Sequence, residues 1–428
     1  MNEYFTKFSA NIPTNTDETT SDDRRQFIKW LGASPLLGLA QSDSASAQNF
    51  VKRADPAVWP AELPNDLIKV PKDAVNVFDF EPVAFKNVPH AHFGYMASGV
   101  DDEVTLRANR SSFQKFPLRP RRMRDVSKID MSIELFGSRW RTPIIMAPTG
   151  GNKAYDPLGE ITVARAAKAR GHLNVLSAAG ASTIEDVIAA RGGEVWFQLY
   201  ATSSLEVAKS VVRRVERAGC PVLEVTIDRN GGRNQETFQR LKRMDPRVCS
   251  SCHIDGPGSI RERPNYDGID ISGMKSAQSA NMTWDFVKHM RDTTNMKIIL
   301  KGVLTEEDAA LCLKYGVDGV HVSNHGGRSE DTGRGAIECL PEVANAVNKK
   351  IPILFDSGVR RGSDIFKALT LGATAVCVGR PYLWGLGAFG QPGVERVLEL
   401  LEEELSGTMK QMGTASIADI RPEMVYRG

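Results

Sequence analysis

The sequence has little net charge, few cysteines and no long apolar run, and each of these absences excludes a class of protein. The formal net charge is +2 over 428 residues and no strongly basic domain stands out, so we expect no nucleic-acid binding. No run of about 18 uninterrupted apolar residues occurs, so we predict no permanent membrane span. Six cysteines in a chain of this length do not form a disulfide framework.

What is present matches a soluble globular protein, with 41% apolar and 25% charged residues. The length is too great for one small domain. It suits a single α/β barrel of about 250 residues with extensions.

The first 47 residues have the layout of an export signal. A polar lead-in is followed by Arg24-Arg25, by a moderately apolar region from Trp30 to Ala40 and by the small-residue site Ala45-Ser46-Ala47. This order predicts a twin-arginine signal with cleavage after Ala47 and a periplasmic mature protein. The alternative is a short amphipathic helix with a chance arginine pair. Residues 48–92 are rich in proline and predict an extended arm with little regular structure.

Eight short apolar runs then recur, separated by segments of helical period. They are Ile144–Ala147, Asn174–Leu176, Val195–Leu199, Val222–Ile227, Lys297–Leu300, Gly319–Val322, Ile351–Phe355 and Ala375–Val378. Eight alternating βα units predict an α/β protein with a (β/α)8 TIM barrel over residues 93–428. In such barrels the functional residues lie at the carboxyl ends of the strands. An amphipathic C-terminal helix is predicted over Gly393–Ser406.

Three polar, glycine-bearing stretches follow the last three of these strands. The first is Ser323-Asn324-His325-Gly326-Gly327-Arg328, in which the histidine can exchange a proton near neutral pH and the arginine can bind a carboxylate. The other two, Asp356–Gly362 and Val376–Pro381, combine glycine turns with arginines. Backbone N–H groups and arginines of that kind bind phosphate. The pattern favours an anionic substrate beside a bound phosphate.

The motifs SNHGGR, DSGVRRG and GRP resemble those of the FMN-dependent 2-hydroxy acid dehydrogenases and oxidases, which include glycolate oxidase, L-lactate dehydrogenase and mandelate dehydrogenase. The resemblance runs from about Tyr95 to about Ile420. It implies that His325 takes the hydroxyl proton of a 2-hydroxy acid while the α-hydrogen passes to FMN. It also implies that Tyr95, Tyr200 and Arg328 orient the substrate carboxylate, and that the chain forms a homo-oligomer, a tetramer.

The resemblance assigns a further set of residues to FMN, with Lys301 balancing negative charge on the reduced ring. These residues are Pro148, Thr149, Gly150, Ser177, Gln198, Thr226, Lys301, Ser323, Asp356, Ser357, Gly358, Val359, Arg360, Gly379 and Arg380. An exported enzyme of this family is expected to pass its electrons to a cytochrome or a quinone.

Three positions depart from the family pattern. Gly150 stands where relatives carry alanine, which leaves oxygen open as an acceptor, and Ala179 stands where many carry an aromatic residue. Gln235 occupies the place of a second carboxylate-binding arginine, with Arg233 two positions earlier as a substitute. A lactate-like L-2-hydroxy acid is therefore the first expectation. A larger alcohol or amine substrate, or a flavin-binding barrel without 2-hydroxy acid turnover, is the alternative.

A cysteine motif lies between the fourth and fifth predicted strands. Cys249, Cys252 and His253 form CxxCH, which fits covalent attachment of haem c. A disulfide or free thiols, and a metal half-site, are the competing interpretations, and we assign no metal ion. Cys220, Cys312, Cys339 and Cys377 are expected in the buried core.

Overall fold

The computed structural model describes residues 67–229, 234–245 and 263–426. A two-stranded antiparallel hairpin, β1 (Ile133–Leu135) and β2 (Ser138–Trp140), precedes a closed barrel of eight parallel strands. The barrel strands are β3 (Ile144–Met146), β4 (Leu173–Ser177), β5 (Trp196–Tyr200), β6 (Val222–Thr226), β7 (Lys297–Val303), β8 (Gly319–Val322), β9 (Ile353–Phe355) and β10 (Ala375–Val378). Strand β10 pairs with β3 and closes the barrel. All eight predicted strands are confirmed, with ends that differ by at most three residues.

Helices cover the outside of the barrel and also form much of the segment that precedes it. They are α1 (Phe80–Asn87), α2 (His90–Ala97), α3 (Val104–Ser111), α4 (Glu160–Arg170), α5 (Ile184–Arg191), α6 (Leu205–Arg217), α7 (Glu236–Arg243), α8 (Trp284–Thr293), α9 (Glu306–Lys314), α10 (Ala336–Val347), α11 (Gly362–Thr370) and α12 (Arg380–Met412). Helix α12 changes direction at Phe389 and Gly390, whose backbone angles are not helical. Within the described residues, no helix is both long and apolar enough to cross a lipid bilayer.

The arm predicted to lack regular structure differs in its described part. Two 3₁₀ turns precede α1, and α1 itself contains Pro82. The proline does not break this helix because it lies in the first turn, where a backbone N–H has no partner within the helix. Pro89 is the N-cap residue of α2, where its missing backbone N–H likewise costs no hydrogen bond of the helix. Residues 1–66, which hold the predicted signal and the start of the arm, lie outside the described residues.

The core has two parts, one inside the barrel and one between the strands and the helices. Inward-facing side chains such as Ile145, Val175 and Ile299 fill the barrel, and Leu135 and Trp140 of the hairpin cover its amino end. This hairpin has no counterpart in the sequence prediction. Outside the barrel, α12 packs on α1, α4 and α11.

Two expectations about this core are confirmed. The leucines of the predicted C-terminal helix, Leu398, Leu401 and Leu405, are fully buried. The four cysteines expected in the core, Cys220, Cys312, Cys339 and Cys377, are buried and free.

Candidate active site

A cavity opens at the carboxyl ends of the barrel strands. It brings together most of the predicted functional residues: Tyr95, Pro148, Thr149, Gly150, Tyr200, Lys301, His325, Arg328, residues 356–360, Gly379 and Arg380. Parallel strands place their carboxyl ends at one rim, which is why residues far apart in the sequence meet here.

His325 is held by Asp228, the residue two positions after the end of β6. Its Nδ1 lies 2.9 Å from Asp228 Oδ1. A carboxylate can only accept, so Nδ1 carries the proton and Nε2 keeps its lone pair. Burial lowers the pKa of His325 to about 4, although the Asp228 carboxylate acts in the opposite direction. His325 is therefore a neutral base at neutral pH.

The loop that carries His325 has a constrained backbone. His325 itself has a φ of +59°, in the left-handed region that non-glycine residues rarely adopt. Its N–H donates to Ser323 Oγ at 3.0 Å, and the Gly326 N–H donates to Ser357 Oγ, also at 3.0 Å. Asn324 exchanges two hydrogen bonds of 2.8 Å with Asn109 of α3. These contacts fix the imidazole in one position, as a positioned base requires.

Arg328 and the two predicted tyrosines surround His325. The Arg328 guanidinium lies 4.8 Å from the centre of the Tyr95 ring and donates to the Ser98 carbonyl at 2.9 Å. The Tyr200 ring stacks on the His325 ring at a centroid distance of 6.4 Å. The side chains predicted to orient a carboxylate thus lie next to the base.

Arg229 is a second arginine beside His325, and it was not predicted from the sequence. Arg229 lines the cavity and is 8% exposed, and its Nη1 lies 3.4 Å from His325 Nε2. Its Nε is buried without a hydrogen-bond partner in the part of the chain that the structure describes. Gln235 is buried and donates to Ser98 Oγ at 3.0 Å. The substitute suggested by the sequence, Arg233, lies outside the described residues.

Lys301 projects from β7 into the cavity wall. Its Nζ lies 2.9 Å from Asp356 Oδ2 and donates to Ser323 Oγ at 2.5 Å. Burial alone would lower the pKa of Lys301, but the neighbouring carboxylates, Asp356 first, raise it above its ordinary value. The lysine is therefore charged, in a position where it can interact with an anion in the cavity.

Four predicted cofactor residues do not line the cavity but lie directly behind its wall. Ser177 donates to Gln198 Oε1 at 2.7 Å, and Gln198 donates to Thr226 Oγ1 at 2.9 Å. This chain of hydrogen bonds links β4, β5 and β6 below the rim. Ser323 is also fully buried, between Lys301 and His325. Their predicted contacts with FMN stay predictions.

Two arginines of the cavity fit the phosphate of FMN. Arg360 and Arg380 both line the cavity, and the Nε of Arg360 is buried without a hydrogen-bond partner among the described residues. Burial, together with the charges of Arg110 and Arg380, lowers the pKa of Arg360. Burial and the charge of Arg328 lower that of Arg380 to about 10. Buried arginines that repel one another in this way are stabilised by an anion between them.

Gly150 and Ala179, two departures from the family pattern, are packed against each other. A methyl group added at Gly150 would lie 2.7 Å from the Ala179 Cβ and 2.9 Å from its carbonyl oxygen. The Gly151 N–H donates to that carbonyl at 3.1 Å. Ala179 therefore fills the space that the glycine leaves open.

Several residues of the site were not predicted from the sequence, among them Asp228, Arg229 and Tyr155. Asp228 had a usable signal, since a carboxylate that follows a buried strand of such a barrel lies at the functional rim. Arg229 had none, because the family pattern directs attention to positions 233 and 235. Tyr155 lines the cavity from the loop after β3.

The CxxCH stretch of Cys249, Cys252 and His253 lies outside the described residues, so its three interpretations stay predictions. Within the described ranges, no group of histidine, cysteine and carboxylate side chains is arranged to hold a metal ion.

Comparison with known proteins agrees with this geometry. Residues 84–427 match the family model described as FMN-dependent dehydrogenase. The chain is 38% identical over 348 residues to an L-lactate oxidase of Lysinibacillus sphaericus (strain C3-41), covering 80% of this chain and 90% of that protein. It is 39% identical over 347 residues to the peroxisomal (S)-2-hydroxy-acid oxidase GLO4 of Oryza sativa subsp. japonica, covering 81% and 94%.

Among solved structures, a soluble mutant of the membrane-associated (S)-mandelate dehydrogenase from Pseudomonas putida superimposes with a TM-score of 0.76 at 34% identity. This match covers 83% of our chain and 99% of the mandelate dehydrogenase. The chain therefore belongs to the family of FMN-dependent 2-hydroxy acid dehydrogenases and oxidases, and its cofactor is FMN.

Proposed function

We propose that the protein oxidises a lactate-like L-2-hydroxy acid to the 2-oxo acid and passes the electrons to a cytochrome or a quinone. The observation that best supports this is the Asp228–His325 pair, which presents an unprotonated imidazole nitrogen, 3.4 Å from Arg229 Nη1, to a cavity that also holds Arg328. A base beside two guanidinium groups suits an anionic alcohol.

The chain's own part in the reaction begins with the hydroxyl proton. His325 Nε2 accepts this proton because Nδ1 is already occupied by the bond to Asp228. The imidazolium that forms then lies 2.9 Å from the Asp228 carboxylate, which stabilises its charge. Burial alone would raise the pKa of Asp228, yet His325 and the nearby cations hold it below its usual value, so the carboxylate stays ionised.

The two arginines supply the contacts for the substrate carboxylate. Arg328 is positioned by the Ser98 carbonyl and the Tyr95 ring, while the Arg229 guanidinium lies 5.8 Å from the centre of the Tyr200 ring. Arginine forks can hold a carboxylate through paired hydrogen bonds. The presence of Arg229 removes the main reason for preferring a larger alcohol or an amine, which was the missing charge at Gln235.

FMN, when bound, supplies the acceptor for the α-hydrogen and two electrons. Lys301 holds a positive charge in the cavity wall, and Arg360 and Arg380 would hold the phosphate. The names of the relatives also support this class of substrate, because they are an L-lactate oxidase, a (S)-2-hydroxy-acid oxidase and a (S)-mandelate dehydrogenase.

A substrate screen under anaerobic conditions tests the proposal. Purified FMN-loaded protein is mixed with L-lactate, glycolate, (S)-mandelate and longer 2-hydroxy acids, with each R enantiomer as the matched control where one exists. We expect loss of flavin absorbance with at least one L-acid and not with its enantiomer. His325→Gln should keep FMN but lose this reaction. If no acid reduces the flavin, or if His325→Gln reacts equally fast, the proposal is wrong.

The acceptor is tested separately, with protein reduced by the best acid. We expect reoxidation by cytochrome c or a soluble quinone to be faster than by dissolved oxygen, because Ala179 fills the space beside Gly150. Faster reoxidation by oxygen would make the protein an oxidase and leave the substrate proposal untouched.

A further inference from the structure

The Lys301–Asp356 pair in the cavity wall continues into the barrel through two more ionisable side chains. Asp356 Oδ2 lies 3.3 Å from His321 Nε2, and His321 Nδ1 lies 3.1 Å from Glu224 Oε2. Together with the 2.9 Å contact between Lys301 and Asp356, these ion-pair distances connect four ionisable groups, and His321 Nε2 makes no hydrogen bond within the described residues. The four groups run from the cavity towards the centre of the barrel.

Packing of the barrel does not explain Glu224 and His321. Both side chains are completely buried, and their register partners are Ile299 and Gln198 for Glu224 and Leu354 and Lys301 for His321. The layer below them is apolar. Burying an ion pair costs desolvation free energy, and an apolar pair of similar size would be tolerated as well or better. One oxygen of Glu224 also has no hydrogen-bond partner among the described residues.

The four groups form two opposite pairs of charges. Burial alone would lower the pKa of His321, but the carboxylates of Glu224 and Asp356 raise it well above its ordinary value. Burial raises the pKa of the Cys377 thiol, which is therefore neutral. Lys301 pairs with Asp356 at 2.9 Å and His321 pairs with Glu224 at 3.1 Å.

We propose that Glu224 and His321 are positioning residues that set the electrostatic potential that Lys301 and Asp356 present to the FMN, and hence the reduction potential of the bound flavin. The inference depends on FMN as the cofactor and not on the identity of the substrate. Reduction adds negative charge to the flavin. A positive His321 favours that charge and a negative Glu224 opposes it, because Coulomb interactions act strongly in a buried, water-poor environment.

The test is potentiometry of the FMN-loaded protein, which needs no substrate. Glu224→Gln removes a negative charge and should raise the midpoint potential, while His321→Gln removes a positive charge and should lower it. We expect each shift to reach at least a tenfold change in the equilibrium constant for reduction, which is about 30 mV for a two-electron couple. The double variant removes both charges and should return close to the wild-type potential.

His321 should keep its proton in Glu224→Gln, since Asp356 remains 3.3 Å from Nε2. Shifts of the same sign in both single variants, or no shift in either while FMN stays bound, would overturn the proposal. If His321→Gln does not fold, the comparison is between Glu224→Gln and the double variant. The double variant must then have the lower potential for the proposal to stand.

A second buried histidine–glutamate pair in the same chain provides the matched control. His172 Nε2 lies 2.5 Å from Glu402 Oε1, next to the amino end of β4 and therefore at the opposite end of the barrel from the cavity. His172→Gln and Glu402→Gln should lower the melting temperature without moving the flavin potential. If they shift the potential as much as the Glu224 and His321 variants do, the effect is structural and the proposal fails.

Discussion

The Asp228 carboxylate determines how well His325 can act as a base. It holds Nδ1 at 2.9 Å and leaves Nε2 as the acceptor, and it stabilises the imidazolium formed when the hydroxyl proton arrives. Asp228→Asn keeps the size of the side chain but removes the charge. We expect kcat to fall about 10²- to 10⁴-fold, the usual contribution of general acid–base catalysis, with FMN binding unchanged. Rapid-mixing kinetics of flavin reduction measure this, and a rate within a few-fold of wild type would contradict it.

The pH dependence of kcat/KM follows from the environment of His325. Burial lowers its pKa to about 4, and the nearby charges of Arg229 and Lys301 act in the same direction. Because the neutral form is the base, kcat/KM should be level near neutral pH and fall as pH drops through about 4. An inflection at the ordinary histidine value would show that the ring is solvated. In Arg229→Met the inflection should move to higher pH.

Arg229 is expected to bind the substrate carboxylate in place of the arginine that is missing at position 235. Arg229→Met removes charge-assisted hydrogen bonds, which are worth about 1.5–3 kcal/mol, so KM should rise about 10- to 150-fold. Gln235→Met serves as the comparison, because Gln235 bonds to Ser98 and does not line the cavity. Equal effects of the two substitutions on KM, at similar melting temperatures, would contradict the assignment.

Not all of the residues of the site could be predicted from the sequence. His325, Arg328 and Lys301 could be predicted to lie at the rim, because Lys301 lies within β7 and the other two lie in the loop that follows β8. Arg229 could not, because its function depends on the path of the loop after β6 and on the burial of Gln235 against Ser98. Neither is encoded in the spacing of residue types.

Among the elements, the loop between β9 and α11 is tightly constrained at Gly358. Gly358 has a φ of +85°, and a methyl group added there would lie 2.0 Å from the backbone oxygen of Asn109. Gly358→Ala must therefore displace the loop that carries Arg360. Backbone strain of this kind costs about 1–3 kcal/mol, so we expect FMN affinity to fall about tenfold or more.

Gly407 provides the matched control for this loop. It lies within α12, and a methyl group there would meet no atom within 4 Å. Gly407→Ala should leave FMN affinity unchanged and stabilise the protein by about 0.5–1 kcal/mol through helix propensity. Titration of the apoprotein with FMN and thermal unfolding measure both effects. Equal FMN affinities in the two variants would show that the loop tolerates the displacement.

The elements themselves differ in how far the sequence predicts them. The eight barrel strands are largely buried on both faces and rich in apolar residues, so they could be recognised as continuous runs. The hairpin of β1 and β2 could not, because its three-residue strands are too short for a periodic signal. Helix α1 was not predicted because it contains Pro82. Proline normally indicates the end of a helix, unless it is known to lie in the first turn.

At the scale of the whole molecule, the cofactor site is assembled from residues that span most of the chain. The residues lining the cavity extend from Tyr95 to Leu383, and the barrel closes only when β10 pairs with β3. FMN therefore cannot be held until the barrel is complete. Export by the twin-arginine route, which carries folded proteins, is consistent with this requirement.

The proposed export depends on Arg24 and Arg25, which lie outside the described residues. In a Gram-negative host, we expect the wild-type chain in the periplasm, shortened by the first 47 residues and already loaded with FMN. Changing both arginines to lysine should leave a full-length, FMN-loaded protein in the cytoplasm, because the folded barrel cannot use a route for unfolded chains. The same change at the Arg121-Arg122 pair controls for a general effect of the substitution. Fractionation, mass spectrometry and flavin fluorescence measure the outcome. Periplasmic protein from the Arg24→Lys, Arg25→Lys variant would show that the first 47 residues do not act as a twin-arginine signal.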